Sequence, residues 1–134
     1  MERGVGYMEQ LHNGFTLELC NGAFPLSTDS IALSGFVKLP RKAAVLDLGA
    51  GCGTLGLLLC ARDPECTVTG VELTENAHQT ALKNAVRNEI PHRLTSICAD
   101  IKTIPTFLRS SVVSTSGAKI SSPSNRIFPS IFTV

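Results

Sequence analysis

Val45-Leu46-Asp47-Leu48-Gly49-Ala50-Gly51-Cys52-Gly53-Thr54-Leu55-Gly56 decides the fold of this chain. An apolar run ends around an acid, three glycines alternate, and a leucine-rich segment of helical character begins. That succession is a strand, a tight turn and a helix start, the unit that binds nucleotide-like ligands on backbone N–H groups. Outward from it, Thr67-Val68-Thr69-Gly70-Val71 reads as a second strand closing on Glu72, and Leu94 to Ala99 as a third with Asp100 at its tip. Thr54 to Arg62 is the helix between the first two, stopping before Asp63-Pro64 because proline disfavours helix at the residue before it. Residues 75–89 are the next helix, with Ala77, Ala81, Leu82, Ala85 and Val86 along one apolar stripe and Pro91 as its end. Near-continuous apolar strands alternating with helices make an open α/β sheet, mostly parallel, whose ligand lies over the carboxyl ends of its strands.

Upstream, residues 8–19 read as a hairpin. Asn13-Gly14 sits between segments in which Phe15, Leu17 and Leu19 alternate with Thr16 and Glu18, and both turn positions tolerate positive φ. A second turn at Asn21-Gly22 precedes Ser27-Thr28-Asp29-Ser30, and Ile31, Ala32, Leu33, Phe36 and Val37 are spaced for the buried face of a short helix. Ser27, Thr28 and Asp29 are all good N-cap residues. The local sequence favours a cap; the alternative places Thr28 and Asp29 at the ligand.

Composition narrows the class. The 134 residues suffice for one domain with a real core, and at 43% hydrophobic and 17% charged they describe a globular protein. No apolar run approaches the roughly 20 residues of a membrane-spanning helix, and a cytoplasmic location is expected. Cys20, Cys52, Cys60, Cys66 and Cys98 are odd in number and lack a C-x-x-C pair, so reduced thiols are expected rather than a zinc site or a disulfide framework. Residues 102–134 carry Lys102, Arg109, Lys119 and Arg126 with no acid, whereas residues 1–101 hold eight basic residues against eleven acids. Seven serines crowd residues 110–124. Residues 1–108 are therefore read as the α/β domain and 109–134 as a Ser-rich basic tail, out of register or disordered, with Val112-Val113 as the start of a fourth strand.

Gly51-x-Gly53-x-x-Gly56, with Glu72 downstream, also fits the dinucleotide fingerprint, and charge decides between the ligands. A pyrophosphate at this turn would meet Asp47, a carboxylate of its own sign. S-adenosylmethionine has no phosphate and carries a sulfonium and an ammonium, so a neighbouring acid favours it. Asp47 is expected at its amino-acid end, Glu72 at both ribose hydroxyls and Asp100 at the adenine amine, with Ile101 adding backbone and an apolar contact. Gly49, Gly51 and Gly53 let the backbone approach the methionine moiety. Ala50 and Leu73 complete the set, and no metal is expected.

Residues 45–56 resemble motif I of the class I S-adenosylmethionine-dependent methyltransferases, and Gly70-Val71-Glu72 resembles the end of their second strand. The preceding Phe24-Pro25-Leu26-Ser27-Thr28-Asp29-Ser30-Ile31-Ala32-Leu33 is similar to the segment before motif I in the small methyltransferase domain group, particularly bacterial tRNA(Val) adenine N(6)-methyltransferases. The resemblance covers about residues 8–108. It implies a Rossmann-like fold, methyl transfer to an adenine exocyclic amine in tRNA, and a Thr28-Asp29 pair that helps enclose the cofactor.

The match stops at the acceptor. Members that methylate an exocyclic amine use Asn-Pro-Pro-Tyr or a close variant after the fourth strand, to hold the amine and stack on the extruded base. No such tetrapeptide occurs in this sequence, and Thr115-Ser116-Gly117-Ala118 follows Val112-Val113-Ser114. The expectation is a longer methyltransferase cut short after its third or fourth strand, with residues 109–134 out of frame. The alternatives are an inactive or regulatory cofactor-binding module and a fragment of an NAD-binding Rossmann domain.

Overall fold

The computed structural model describes residues 7–11, 14–22 and 28–103, and the backbone of two short strand segments beyond them. The elements run β1 (Tyr7–Gln10), β2 (Thr16–Leu19), α1 (Thr28–Phe36), β3 (Ala44–Leu48), α2 (Thr54–Arg62), β4 (Thr67–Glu72), α3 (Glu75–Arg87), β5 (Leu94–Cys98), β6 (Val113–Ser114) and β7 (Phe132–Thr133). The fold is α/β, with a parallel sheet and an N-terminal antiparallel hairpin. β3 and β4 pair in parallel with Asp47 opposite Gly70, and β4 and β5 pair in parallel with Glu72 opposite Cys98. The sheet order is β5-β4-β3-β6, so the three strands read from the sequence are neighbours and share one carboxyl end. β6 extends the sheet in parallel beside Asp47 and Leu48, where the sequence suggests a fourth strand. β7 pairs antiparallel with Val45 and Leu46. Among the described residues no helix is long and apolar enough to cross a membrane.

The main core lies between one sheet face and the helices. Val45 and Val68 from the sheet and Leu94 from β5 meet Leu55, Leu58 and Leu59 of α2 and Ala77 and Ala85 of α3. Gly56 makes the helix–sheet approach possible, since a Cβ there would sit 2.5 Å from Leu94 Cδ1 and 3.2 Å from Val68 Cγ1. This glycine, inside α2 just past the turn, therefore serves packing.

The hairpin forms where the alternating segments place it. Tyr7 pairs with Leu19 and Gln10 with Thr16, Leu11 N–H donates to the Phe15 carbonyl at 2.7 Å, and Gly14 has φ 82. His12 and Asn13 lie outside the described residues. The free edge of β2 is satisfied by side chains. Asn84 Oδ1 accepts from Glu18 N–H at 2.8 Å while its Nδ2 donates to the Glu18 carbonyl at 2.9 Å; Asn88 does the same for Thr16, at 2.8 and 2.7 Å. The spacing explains the fit. Four residues of helix rise about 6 Å, and two residues of strand rise about 6.8 Å, so two amides on one helix face match alternate residues of a strand. They stand in for a missing strand on α3 and cover an edge that would otherwise be open. The Arg87–Glu18 ion pair, at 2.6 Å, adds to the same seam.

Three expectations change. Phe36 is 83% exposed and Ile31 and Ala32 are exposed, and Ser34 is buried in their place; of the expected face only Leu33, half-buried, and Val37, buried just past the end of α1, turn inward. Arg62 of α2 donates to the Ser34 and Val37 carbonyls, placing a guanidinium at the end of α1. On α3, Ala77, Ala81 and Ala85 are buried but Val86 is 65% exposed, because the hairpin seam turns the helix to bury Asn84 and Thr80. The helix also ends at Arg87, before Pro91. Glu89 adopts φ 60, Glu89 N–H donates to Val86 O and Ile90 N–H to Ala85 O, which is a Schellman stop.

Candidate functional site

The site begins with the way the glycine turn is laid over the sheet. Gly49, Gly51 and Gly53 all have positive φ, at 76, 58 and 85, a region costly for residues bearing a Cβ. The turn crosses the end of β4, where the Val71 carbonyl accepts from Gly49 N–H at 2.8 Å and Ala50 N–H at 3.1 Å. Ala50 then lies so close to β4 that a Cβ on Gly70 would come within 2.6 Å of its own Cβ. Gly70 is a site-building residue that the sequence reading passed over. A glycine inside a strand pattern signals such a close approach. Gly53 N–H donates to Ala50 O at 3.0 Å and its own carbonyl accepts from Leu57 N–H, which starts α2.

Glu72 ties the turn to the next strand. Its Oε2 accepts from Gly51 N–H at 2.8 Å and its Oε1 from Thr74 N–H at 3.0 Å. Each carboxylate oxygen can accept a second donor, so two hydroxyls could still be held. Above Gly51 the space is open: a Cβ built there would meet nothing within 4 Å. Asp47 is 1% exposed near the carboxyl end of β3. Ala99 N–H donates to the Glu72 carbonyl at 3.0 Å, which sets Asp100 beside the end of β4. Asp100 Oδ1 accepts from Lys102 N–H at 2.9 Å, and its carbonyl accepts from Thr103, folding Ile101–Thr103 into a single helical turn. Ile101 packs half-buried against Leu48 and Val71, whereas Leu73, just past Glu72, is 69% exposed.

The structure therefore brings Asp47, Gly49, Ala50, Gly51, Gly53, Glu72, Leu73, Asp100 and Ile101 to the carboxyl ends of three adjacent parallel strands. Thr28 and Asp29 are exposed in the first turn of α1, and neither makes a hydrogen bond or ion pair to the glycine turn among the described residues. Ser27, the remaining cap candidate, lies outside the described residues, as do the segments 23–27 and 104–112. The arrangement suits a ligand with hydroxyls for Glu72 and positive charge for Asp47, and it disfavours a phosphate at the turn.

The sequence profile of a methyltransferase domain family matches residues 45–131. The chain belongs to that family. The domain is also similar to curated tRNA1(Val) (adenine(37)-N6)-methyltransferases. That of Pseudoalteromonas translucida is 39% identical over 70 residues, 52% of this chain and 30% of that protein. That of Aeromonas hydrophila is 35% identical over 82 residues, 60% of this chain and 35% of that protein. The chain thus spans about a third of the length of these two curated relatives. Among solved structures, P. horikoshii TYW2 in complex with MeSAdo superposes with a TM-score of 0.63 at 18% identity, over 78% of this chain and 40% of that one. A methyltransferase from Geobacter sulfurreducens in complex with S-adenosyl-L-homocysteine gives 0.58 at 18% identity, over 69% and 37%. These likenesses establish the Rossmann-like methyltransferase fold.

Proposed function

We propose that the domain binds S-adenosylmethionine across the ends of β3, β4 and β5, and that the protein transfers methyl groups to an adenine exocyclic amine in tRNA. The observation that carries the first half is the Gly51–Glu72 hydrogen bond, which fixes an open glycine turn against a carboxylate at a shared strand end. Asp47 faces the cationic amino-acid end, directly or through water, Glu72 takes the ribose hydroxyls, and Asp100 with Ile101 takes the adenine. Leu73 offers an exposed apolar surface, Gly49, Ala50, Gly51 and Gly53 line the methionine path, and Thr28 and Asp29 close over it from α1. Bound there, the cofactor supplies an electrophilic methyl group on sulfur. The chain's residues bind and orient; an amine attacking such a methyl needs alignment more than a base.

The tRNA half is supported by the names of the curated relatives and by the similarity of residues 24–33 to their segment before the glycine turn. Residues 1–108 form the cofactor domain, with 109–134 as a tail whose β6 and β7 pair with β3, and the cytoplasm is where a tRNA substrate would be met. A specific observation favours a second reading, a cofactor-binding module without transfer activity: Asn-Pro-Pro-Tyr is absent from these 134 residues. Reading the gene in its other frames tests whether that tetrapeptide follows in a longer product.

Thermal unfolding with S-adenosylmethionine, and with NAD as control, tests the pocket. A ligand at 100 times its dissociation constant stabilises its binder by about 2.7 kcal/mol. A shift with NAD alone would refute the reading. Transfer of labelled methyl from S-adenosylmethionine to unmodified tRNA then separates the enzyme from the inactive module.

A further inference from the structure

We propose that Cys20 and Cys52 are an oxidation site, a dithiol whose disulfide fastens the hairpin to the glycine turn. Their sulfurs lie 3.4 Å apart although the residues are 32 positions apart in sequence. Cys20 directly follows β2 and is half-buried; Cys52 is 3% exposed and sits between Gly51 and Gly53. One buried amide holds both the turn and the hairpin in place, since Asn84 Nδ2 donates to the Cys52 carbonyl at 2.8 Å and to the Glu18 carbonyl at 2.9 Å. A disulfide needs sulfurs at about 2.05 Å, so closure requires about 1.4 Å of approach. The glycines on either side of Cys52 give the turn the backbone freedom to make it.

The oxidant is a low-molecular-weight disulfide, RSSR. The Cys20 thiolate attacks one of its sulfurs, the RS–SR bond breaks, and RS⁻ leaves and takes a proton from water. The Cys52 thiolate then attacks Cys20 Sγ in the mixed disulfide, the Cys20–SR bond breaks, and the second RS⁻ leaves. Two protein thiols are oxidised to one disulfide and RSSR is reduced to two RSH. Burial pushes the Cys52 thiol up to about 11, so the second step is slow at neutral pH and quickens as pH rises. Closure draws Cys52 towards the hairpin and moves the glycines flanking it. The effect on the cofactor rests on the binding reading above; the disulfide itself does not.

The test treats the full chain with glutathione disulfide and maps its disulfides by non-reducing digestion and mass spectrometry, beside Cys20→Ser. The expected product is a Cys20–Cys52 cross-link, lost in Cys20→Ser and reversed by dithiothreitol. Oxidised wild type should then bind S-adenosylmethionine about tenfold or more weaker than the reduced protein, with Cys20→Ser indifferent to the oxidant. Glutathione left on Cys20, or a cross-link mapped to Cys60 and Cys66, would overturn the proposal. A Cys20–Cys52 cross-link that leaves affinity unchanged would overturn its hold on the turn. A reduced protein with no affinity for S-adenosylmethionine would count against the cofactor reading, while the disulfide map alone would still decide the clasp.

Discussion

Replacing Asn84 by alanine should cost this domain more stability than any other single polar change on α3. The side chain is 0% exposed. Its removal strands three main-chain groups: Glu18 N–H, the Glu18 carbonyl and the Cys52 carbonyl, held at 2.8, 2.9 and 2.8 Å. The Cys52 contact is fully buried, and an abandoned buried acceptor costs about 1–3 kcal/mol. The two Glu18 groups are partly exposed and can recover some hydration, so each costs about 0.5–1.5 kcal/mol. Alanine's better helix propensity returns about 0.6 kcal/mol. The expected net loss is therefore about 1.5–5 kcal/mol, against a total of about 5–15 kcal/mol for a typical domain. Asn88→Ala strands Thr16 N–H and the Thr16 carbonyl but nothing in the glycine turn, so about 1–3 kcal/mol should be lost. Urea unfolding of the full chain reads both, with unchanged m values as the sign that the denatured state is the same. A loss below about 1 kcal/mol for Asn84→Ala, or a larger loss for Asn88→Ala, would refute the view that Asn84 joins hairpin and turn.

Further consequences are as specific. Gly70→Ala places a Cβ 2.6 Å from Ala50 Cβ, so it should lower stability by about 1–3 kcal/mol and weaken S-adenosylmethionine binding as the turn lifts; calorimetric titration beside urea unfolding checks both. Glu72→Gln keeps the side-chain length but loses a charged acceptor of Gly51 N–H, and cofactor affinity should fall by about tenfold or more, a change of about 1.4 kcal/mol; an unchanged dissociation constant would remove Glu72 from the site. For Cys52 the folded thiol is raised from 9.0 to about 11 by burial, so the unfolded chain ionises first. Its contribution is fully present below pH 9 and is lost as pH rises from 9 to about 11, and Cys52→Ala should lose less stability than wild type across that same interval.

Asp47, the alternating glycines and the acids Glu72 and Asp100 were legible in the sequence because a parallel sheet imposes its own punctuation. Strands buried on both faces must be apolar, their ends meet solvent or ligand, and a tight turn into a helix needs glycine where φ is positive. These are local demands, so one chain suffices to show them, and the β3–β4–β5 order with its shared carboxyl end follows. Phe36 and Val86 show where local patterning stops. Both fit a helical stripe, yet both are exposed, because which side of a helix is buried depends on what packs against it. The same holds for Asn84 and Asn88. Their spacing, along α3 and its C-cap, is visible in the sequence, but the strand edge they satisfy lies 66 and 72 positions away. Gly70 needs Ala50 above it before its missing Cβ has meaning, and Cys20 needs Cys52 beside it. The strands, the turn and the acids at the strand ends were set by sequence because short-range sterics and solvation suffice for them. The hairpin seam, the packing role of Gly56 and the thiol pair were decided only when tertiary packing closed distances that chain order leaves open.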